Sequence, residues 1–331
     1  MAKRLRNKKR VSEVAPTIKD QVSAFSFGIN SWKQLLQALL IVGASFWVFW
    51  PVLHGDWIWD DPFLIVQSTL IHDPAGLWKI WFQPNRLVDY QPITVSVEWI
   101  EWRLWGYETL GYHLANIILH VSGALLVWRL FSKLGLRLAW LGGLIFAIHP
   151  LQVESVAWIS EIKNVLSLPP FLLAMCAWID YKERRQKADY FLALGWFLVA
   201  MLCKTTMVMF PLVILLYAWW KQGLIGWSNL KISAPFFIIS LILGLITIWF
   251  SHNDPDGRVI PMGGFFSRLA CIGITISFYF SKFFLPVKLI PIYPPWSVDP
   301  PLPVQFLLWP LLGGIIYWFW GKRESWGGMH C

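Results

Sequence analysis

The chain has 331 residues, of which 56% are hydrophobic and 14% are charged, and its formal net charge is +9. Its mean hydropathy is +0.52. Because a soluble globular domain carries about 25% charged residues, this composition excludes that class and predicts an integral membrane protein. The four cysteines show no disulfide or metal-binding spacing, which argues against a disulfide-stabilised secreted domain.

Apolar runs long enough to cross a bilayer recur along the chain. They predict an all-α fold, a polytopic bundle of about nine membrane helices. This membrane domain would occupy residues 34–320, between a basic tail at 1–33 and a short C-terminal tail at 321–331. The runs lie near residues 34–53, 113–131, 138–149, 164–181, 190–203, 205–220, 233–250, 267–285 and 303–320.

The basic residues predict the orientation of these helices. They cluster before the first run and in the loops that follow the second, fourth and sixth runs. Basic loops stay in the cytoplasm, so the N-terminus is expected inside and residues 54–111 outside, as in a bacterial-type inner or plasma membrane. The net charge then reflects membrane topology, and no nucleic-acid partner is predicted because no recognition fold accompanies the basic tail.

The first external loop, residues 54–111, is acidic in a basic protein. It holds eight of the 19 acidic residues of the chain against three basic ones. Tryptophan and isoleucine alternate with these charges in "LWKIWFQ" and "VSVEWIEWRLWG", a pattern typical of helices that lie in the membrane interface. A loop of this length that is rich in aromatic residues is expected to be ordered and functional.

Two polar clusters stand out near this loop. In "HGDWIWDDPFLIVQ", Asp60 and Asp61 lie side by side where the first apolar run ends, either as a solvated turn or as a functional pair. In "YHLANIILH", His113, Asn116 and His120 are spaced i, i+3, i+7 and so share one helical face. That face predicts either hydrogen bonds between helices or contacts with a substrate.

A third polar cluster lies in "IFAIHPLQVESVAWISEIKN". His149 ends an apolar run there, and Lys163 follows a pair of glutamates. If the segment is helical, Glu154, Trp158 and Glu161 share a face; the alternative is an ordinary polar loop.

Lys204, in "MLCKTTMVMF", lies between two apolar runs with no charged neighbour in the sequence. A lysine within the membrane is costly unless it is paired or binds an anion, so a functional role is predicted for it. Carboxylates at the outer surface with cations nearby suit attack on an anionic, lipid-linked substrate. A carboxylate accepts the proton of an incoming hydroxyl, and a cation stabilises a departing phosphate.

The order of "WDDP", "YQPIT", "GYHLANIILH", "IFAIHPLQVESVAWISEIKNVLS" and "LCKTTM" resembles the membrane half of the tetratricopeptide-linked protein O-mannosyltransferase family, over roughly residues 45–221. The family consists of polytopic GT-C glycosyltransferases that use sugars carried on polyprenyl phosphates. The resemblance therefore implies transfer of a mannose-like hexose to an acceptor hydroxyl, on the extracytoplasmic side. Family members continue with further membrane helices and repeats beyond the point where "GKRESWGGMHC" ends this chain, which implies a short or truncated member.

The resemblance also assigns residues to roles. It makes Asp60 and Asp61 the catalytic carboxylates of the first external loop. The residues that it implies for binding the donor phosphate or substrate are Lys204, Lys163, His113, Asn116, His149 and Glu154, and Arg86 of the first external loop is a further candidate. Three positions depart from the family pattern, which usually has arginine at Gln91, an acidic residue at Asn164 and glutamate at Thr205.

The predicted mechanism is an inverting transfer in which Asp60 or Asp61 deprotonates an acceptor hydroxyl that attacks the anomeric carbon of the sugar. Polyprenyl phosphate leaves, stabilised by Lys204 with Lys163 or Arg86 as helpers. No cofactor or metal is required, although the two aspartates offer oxygen ligands for a divalent cation. The expected partners are a polyprenyl-phosphate-linked sugar donor, a protein or glycan acceptor, and the lipid bilayer.

Two other classes of function remain open from the sequence. A lipid-linked sugar transporter or flippase would also place polar residues in membrane helices, but no internal repeat or matched pair of broken helices is visible. A catalytically inactive membrane scaffold is consistent with the three departures from the family pattern. The intact aspartate pair favours the enzyme.

Overall fold

The computed structural model describes residues 31–83, 87, 89–252, 263–290, 293–294 and 296–327. The chain divides into two compact units, residues 1–40 and residues 41–331. In the first unit the described residues, 31–40, form the opening turns of a helix. All contacts discussed below lie within the second unit.

The described residues form helices joined by loops and short helical turns, without a β-strand. This confirms the predicted all-α class. The α-helices are α1 Trp32–Phe49, α2 Thr69–His72, α3 Gly76–Phe82, α4 Pro92–Trp105, α5 Thr109–Lys133, α6 Ala139–Ile148, α7 Val153–Ala157, α8 Ile162–Arg184, α9 Lys187–Cys203, α10 Phe210–Gln222, α11 Trp227–His252, α12 Phe265–Phe284 and α13 Leu308–Gly327.

Four helical stretches among the described residues are long and apolar enough to cross a membrane. They are Trp32–His54, Thr109–Lys133, Ile159–Arg184 and Trp227–Phe250. Helices also lie at the other predicted runs, but α6 and α10 are shorter than a full span requires, and α9, with 17 residues, is at the lower limit. The membrane character of the chain is confirmed, and the total of about nine spans stays a prediction.

The main core forms where α8 packs along α9 and both contact the helices that follow. Its largest fully buried side chains include Trp178, Phe197, Phe210 and Phe236, which pack ring against ring. Burial of aromatic side chains contributes strongly to stability. This core therefore fixes the end of α9, and with it Lys204, relative to α8.

A second core holds the start of α5 against the segment that joins α6 to α8. Ile117 of α5 packs there with Val156 and Ile162. Tyr112 and Ile159 continue the contact towards the segment between α1 and α5, where they enclose Ile65. The two segments that sequence analysis predicts as functional loops are thus packed against one helix end.

Helix α4 has its polar side inward and its apolar side outward. Thr94, Glu98 and Glu101, spaced i, i+4, i+7, are buried, whereas Ile100 and Leu104 are exposed. An arrangement of this kind is expected where the outer face meets lipid and the inner face lines a polar site. Helices are therefore present in the predicted external loop, and their position in the membrane interface stays a prediction.

Candidate active site

The adjacent aspartates Asp60 and Asp61, in the segment between α1 and α2, occupy different environments. Asp61 is fully buried, and its two carboxylate oxygens accept hydrogen bonds from the backbone N–H groups of Ile58 at 3.1 Å and Ser160 at 2.8 Å. Asp60 is exposed, and its carboxylate accepts no hydrogen bond from the described part of the chain. Asp61 is therefore used to join two loops, while Asp60 is presented to solvent beside that junction.

The turn that presents Asp60 is held in an uncommon backbone conformation. Trp59 has φ of +49°, in the left-handed region that a bulky residue rarely adopts. Its ring packs edge-on against Trp158, with 4.8 Å between the ring centroids. Strain of this kind costs on the order of 1–3 kcal/mol and persists only where surrounding contacts impose it, often at functional sites.

The polar stripe on α5 is helical and buried, as its spacing predicts. The amide of Asn116 donates to the carbonyls of Trp158 at 3.2 Å and Val156 at 3.4 Å. A ring nitrogen of His120 lies 2.9 Å from the carbonyl oxygen of Ala147. Both contacts are hydrogen bonds to neighbouring segments, one of the two roles that the sequence left open.

His113, at the head of the same stripe, packs against Gly55. A Cβ atom built at Gly55 would lie 2.8 Å from Nε2 of His113 and 3.0 Å from the carbonyl oxygen of Val52. The first separation is too short for a Cβ contact and the second is unusually tight, so glycine allows this close approach. His113 thereby holds the segment just before the aspartates against the start of α5.

The sequence left two alternatives open for the segment with Glu154, Trp158 and Glu161, a helix or a polar loop, and the structure does not show one continuous helix. Helix α7 ends at Ala157, and Trp158 is extended before a short 3-10 turn at Ile159–Glu161. Glu154 is exposed, so the three side chains do not share one helical face. The break is stabilised from outside the segment, because the Asn116 amide donates to the backbone carbonyl of Trp158 and the Asp61 carboxylate accepts from the backbone N–H group of Ser160.

His149 ends α6 and begins the same segment. Its Nδ1 accepts from the N–H group of Leu151 at 3.3 Å, and its Nε2 donates to the carbonyl of Phe283 at 3.1 Å. The ring also stacks on the ring of Phe283. His149 thus connects the segment to α12 and does not contact the aspartates.

Lys204 is not isolated in the fold, because it belongs to a polar network on α8. Its ammonium group donates to the side-chain oxygen Oδ1 of Asn164, and the side-chain Nδ2 of Asn164 donates in turn to Oε2 of Glu161. Lys163 contacts the other oxygen of Glu161, with 2.8 Å between Nζ and Oε1. Asn164 and Glu161 therefore link the two ammonium groups, with Lys163 in direct contact with the carboxylate and Lys204 joined to it through Asn164. Two ammonium groups held close together offer charged donors to an anion such as a phosphate.

Helix α4 is also bonded to this region, next to Lys204. The Thr94 hydroxyl donates to the carbonyl of Cys203 at 2.8 Å, immediately before Lys204. Burial raises the pKa of Glu98 to about 8, with Lys163 lowering it and Asp61 raising it. Burial, together with the charge of Glu98, raises the pKa of Glu101 to about 9.

Sequence reasoning missed these two glutamates as site residues. The signal was present in "PITVSVEWIEWRLW", where Thr94, Glu98 and Glu101 fall on one helical face.

Arg86, predicted as a helper at the phosphate, lies outside the described residues. Within the ranges that the structure describes, no group of three or more histidine, cysteine or acidic side chains is placed to hold a metal, and the metal prediction stays untested.

The fold and the site define a helical membrane protein whose acidic and basic loop residues meet at the ends of α1, α5, α8 and α9. The chain is similar to protein O-mannosyl-transferases. Mouse (Mus musculus) TMTC4 is 27% identical over 331 residues, covering 87% of this chain and 41% of that protein. Human (Homo sapiens) TMTC4 is 30% identical over 200 residues, 50% of this chain and 27% of that protein.

A third relative, protein O-mannosyl-transferase F38B6.6 of Caenorhabditis elegans, is 28% identical over 159 residues, 44% of this chain and 23% of that protein. The predicted resemblance to the tetratricopeptide-linked O-mannosyltransferases is confirmed. The chain spans less than half the length of these relatives. No protein-family model matches the chain, and no solved structure matches it.

Proposed function

We propose that this chain catalyses the transfer of a mannose-like hexose from a polyprenyl-phosphate donor to a hydroxyl group of a protein acceptor, on the extracytoplasmic side of the membrane. The observation that carries the proposal is the bond between Asp61 and the backbone of Ser160. It brings the turn of Asp60 against the segment that leads into Glu161, Lys163 and the Lys204 network. The names of the relatives support the reaction class.

In this proposal Asp60 acts as the general base. Its exposed carboxylate accepts the proton of the acceptor hydroxyl as the hydroxyl oxygen bonds to the anomeric carbon. The bond between that carbon and the phosphate oxygen breaks, and its electron pair leaves with the phosphate. The products are the glycosylated acceptor, with inverted configuration, and polyprenyl phosphate.

The Lys204 network provides the stabilisation that the leaving phosphate requires. Lys204 is held by Asn164, and Lys163 by Glu161, so both ammonium groups are positioned before the donor binds. Pre-positioned cations stabilise developing negative charge without reorganising during the reaction. Asp61 has a positioning role: both of its carboxylate oxygens accept hydrogen bonds from backbone N–H groups, which holds the turn of Asp60 in place.

The test is a transfer assay in membranes supplied with mannosyl-phosphoryl-polyprenol and an acceptor protein. Loss of general-base catalysis lowers rates by about 10²–10⁴-fold, and we expect this loss for Asp60→Asn. Asp56→Asn is the matched control, since Asp56 is an exposed aspartate of the same loop. Wild-type transfer by Asp60→Asn would show that the aspartate pair is a turn without a catalytic role.

A further inference from the structure

Glu98 is a buried carboxyl group that interacts electrostatically with charged residues of both the cationic network and the aspartate pair. Besides burial, the groups that change its pKa are Lys163 and Asp61, so it lies within electrostatic range of both. Lys163 belongs to the cationic network, and Asp61 is the chain neighbour of the proposed base. Glu98 itself is only 6% exposed.

In an inverting transfer, the sugar lies between the site of the leaving phosphate and the general base. The acceptor oxygen and the departing phosphate must lie on opposite faces of the anomeric carbon when one bond forms and the other breaks. With the phosphate at Lys204 and Lys163 and the base at Asp60, the hexose ring lies between them. The side chains that line this interval are therefore the ones available to bind sugar hydroxyls.

Several buried polar groups, on α4 and in the segment that Asp61 binds, have no hydrogen-bonding partner among the described residues. These are both carboxylate oxygens of Glu101, the hydroxyl of Ser160 and the indole N–H of Trp158. Ser160 adjoins Asp61 through its backbone, and Glu101 lies one helical turn beyond Glu98. Buried polar groups are normally paired, so unpaired donors and acceptors on α4 and in the segment bound by Asp61 indicate a polar ligand.

We propose that Glu98 and Glu101 form a subsite that binds hydroxyl groups of the transferred hexose, with Ser160 and Trp158 contributing donors. The subsite rests on the proposed function and deepens it, since it assigns the residues that recognise the sugar. A sugar hydroxyl both donates and accepts hydrogen bonds, and a carboxyl group with a raised pKa does the same in its protonated form. Thr94, on the same face of α4, is already engaged with Cys203 and is not part of it.

The test compares binding of two lipids to the purified full chain in detergent, mannosyl-phosphoryl-polyprenol and sugar-free polyprenyl phosphate. The dissociation constant for polyprenyl phosphate divided by that for the mannosylated lipid gives a ratio that isolates the contribution of the sugar. We expect the wild-type protein to bind the mannosylated lipid about tenfold more tightly, as for one or two hydrogen bonds. Glu98→Met and Glu101→Met should each lower that ratio towards one while keeping the affinity for polyprenyl phosphate.

Methionine is apolar and of similar length, so it suits a buried position and leaves folding intact. Glu98→Gln should retain part of the preference for the mannosylated lipid, because an amide still forms hydrogen bonds with hydroxyl groups. Glu108→Met is the matched control, since Glu108 is exposed in the same loop, and it should behave as wild type.

The outcomes separate this proposal from the proposed function. Equal binding of both lipids by the wild-type protein would overturn the sugar subsite and leave the phosphate site standing. Binding of neither lipid would overturn both. An unchanged ratio in both methionine variants, or an equal loss of affinity for both lipids, would assign the glutamates a structural role and overturn the subsite.

Discussion

The carboxylate of Asp61 accepts a hydrogen bond from the backbone N–H group of Ser160, 99 residues further along the chain. Its other oxygen accepts from Ile58, so both oxygens of this fully buried group are used. The bond fixes the two polar segments on either side of α5 relative to each other. The two neighbouring aspartates therefore have different roles, because Asp61 joins the two segments whereas Asp60 remains exposed.

We expect Asp61→Asn to destabilise the protein. An amide offers one accepting oxygen where the carboxylate offers two, so the N–H group of Ile58 or that of buried Ser160 loses its partner, at a cost of about 1–3 kcal/mol for a buried group. Asp60→Asn, an exposed substitution, should change the free energy of unfolding by no more than about 0.5 kcal/mol. Thermal unfolding in detergent measures both, and equal losses in the two variants would contradict this division of roles.

For Lys204, the network predicts a loss of phosphate binding without a loss of folding. Lys204→Met removes the charge, and a neutral side chain is easier to bury, while Asn164 retains its bonds to Glu161 and Ser155. We expect weaker binding of polyprenyl phosphate and an unchanged detergent-stable yield. Lys221→Met, at an exposed lysine, is the control. Normal phosphate binding by a well-folded Lys204→Met protein would exclude the assigned role.

The sequence predicts the helical membrane class and the polar stripe of α5 because both depend on local periodicity and composition. Asp60, Asp61 and Lys204 are recognisable for a related reason, since charges are rare in so apolar a chain. Glu98 and Glu101 are harder to find, because they alternate with aromatic residues in a loop already rich in charge. Only the packing of α4 against α5 and α9 decides that their face is buried.

The helix break at Trp158 shows the same limit. "VESVAWISEI" has a helical pattern, and nothing local in it ends a helix at Ala157. The break is stabilised by Asn116 and Asp61, which lie far away in the sequence and replace hydrogen bonds that a continuous helix would make. Tertiary contacts thus override the local pattern at the point where the site is assembled.

The orientation of the chain is open to a direct test. Basic loops predict that the segment between α1 and α5 is external and that the turn between α8 and α9 is cytoplasmic. In a variant without native cysteines, Ala75→Cys should react with an impermeant thiol reagent in intact cells, whereas Gln186→Cys should react only after permeabilisation. Both positions are exposed. The reverse labelling pattern would place the proposed site on the cytoplasmic side and contradict the proposed topology.

The buried glutamates predict a pH dependence of stability. Burial raises the pKa of Glu101 from 4.5 to about 9 and that of Glu98 from 4.5 to about 8. The folded protein therefore keeps protons that the unfolded chain releases. The contribution of these groups to stability is complete below pH 4.5 and is lost as the pH rises through 8 and 9.

We expect Glu101→Gln to flatten this dependence, because the amide resembles the protonated carboxyl group and does not titrate. Each group contributes a slope of at most about 1.4 kcal/mol per pH unit, so the variant should gain stability over wild type at pH near 9 and lose that advantage towards pH 5. Thermal unfolding in detergent across this range measures the difference. Glu108→Gln, at an exposed position, should follow the wild-type curve. If Glu101→Gln follows it as well, Glu101 does not hold its proton in the folded protein.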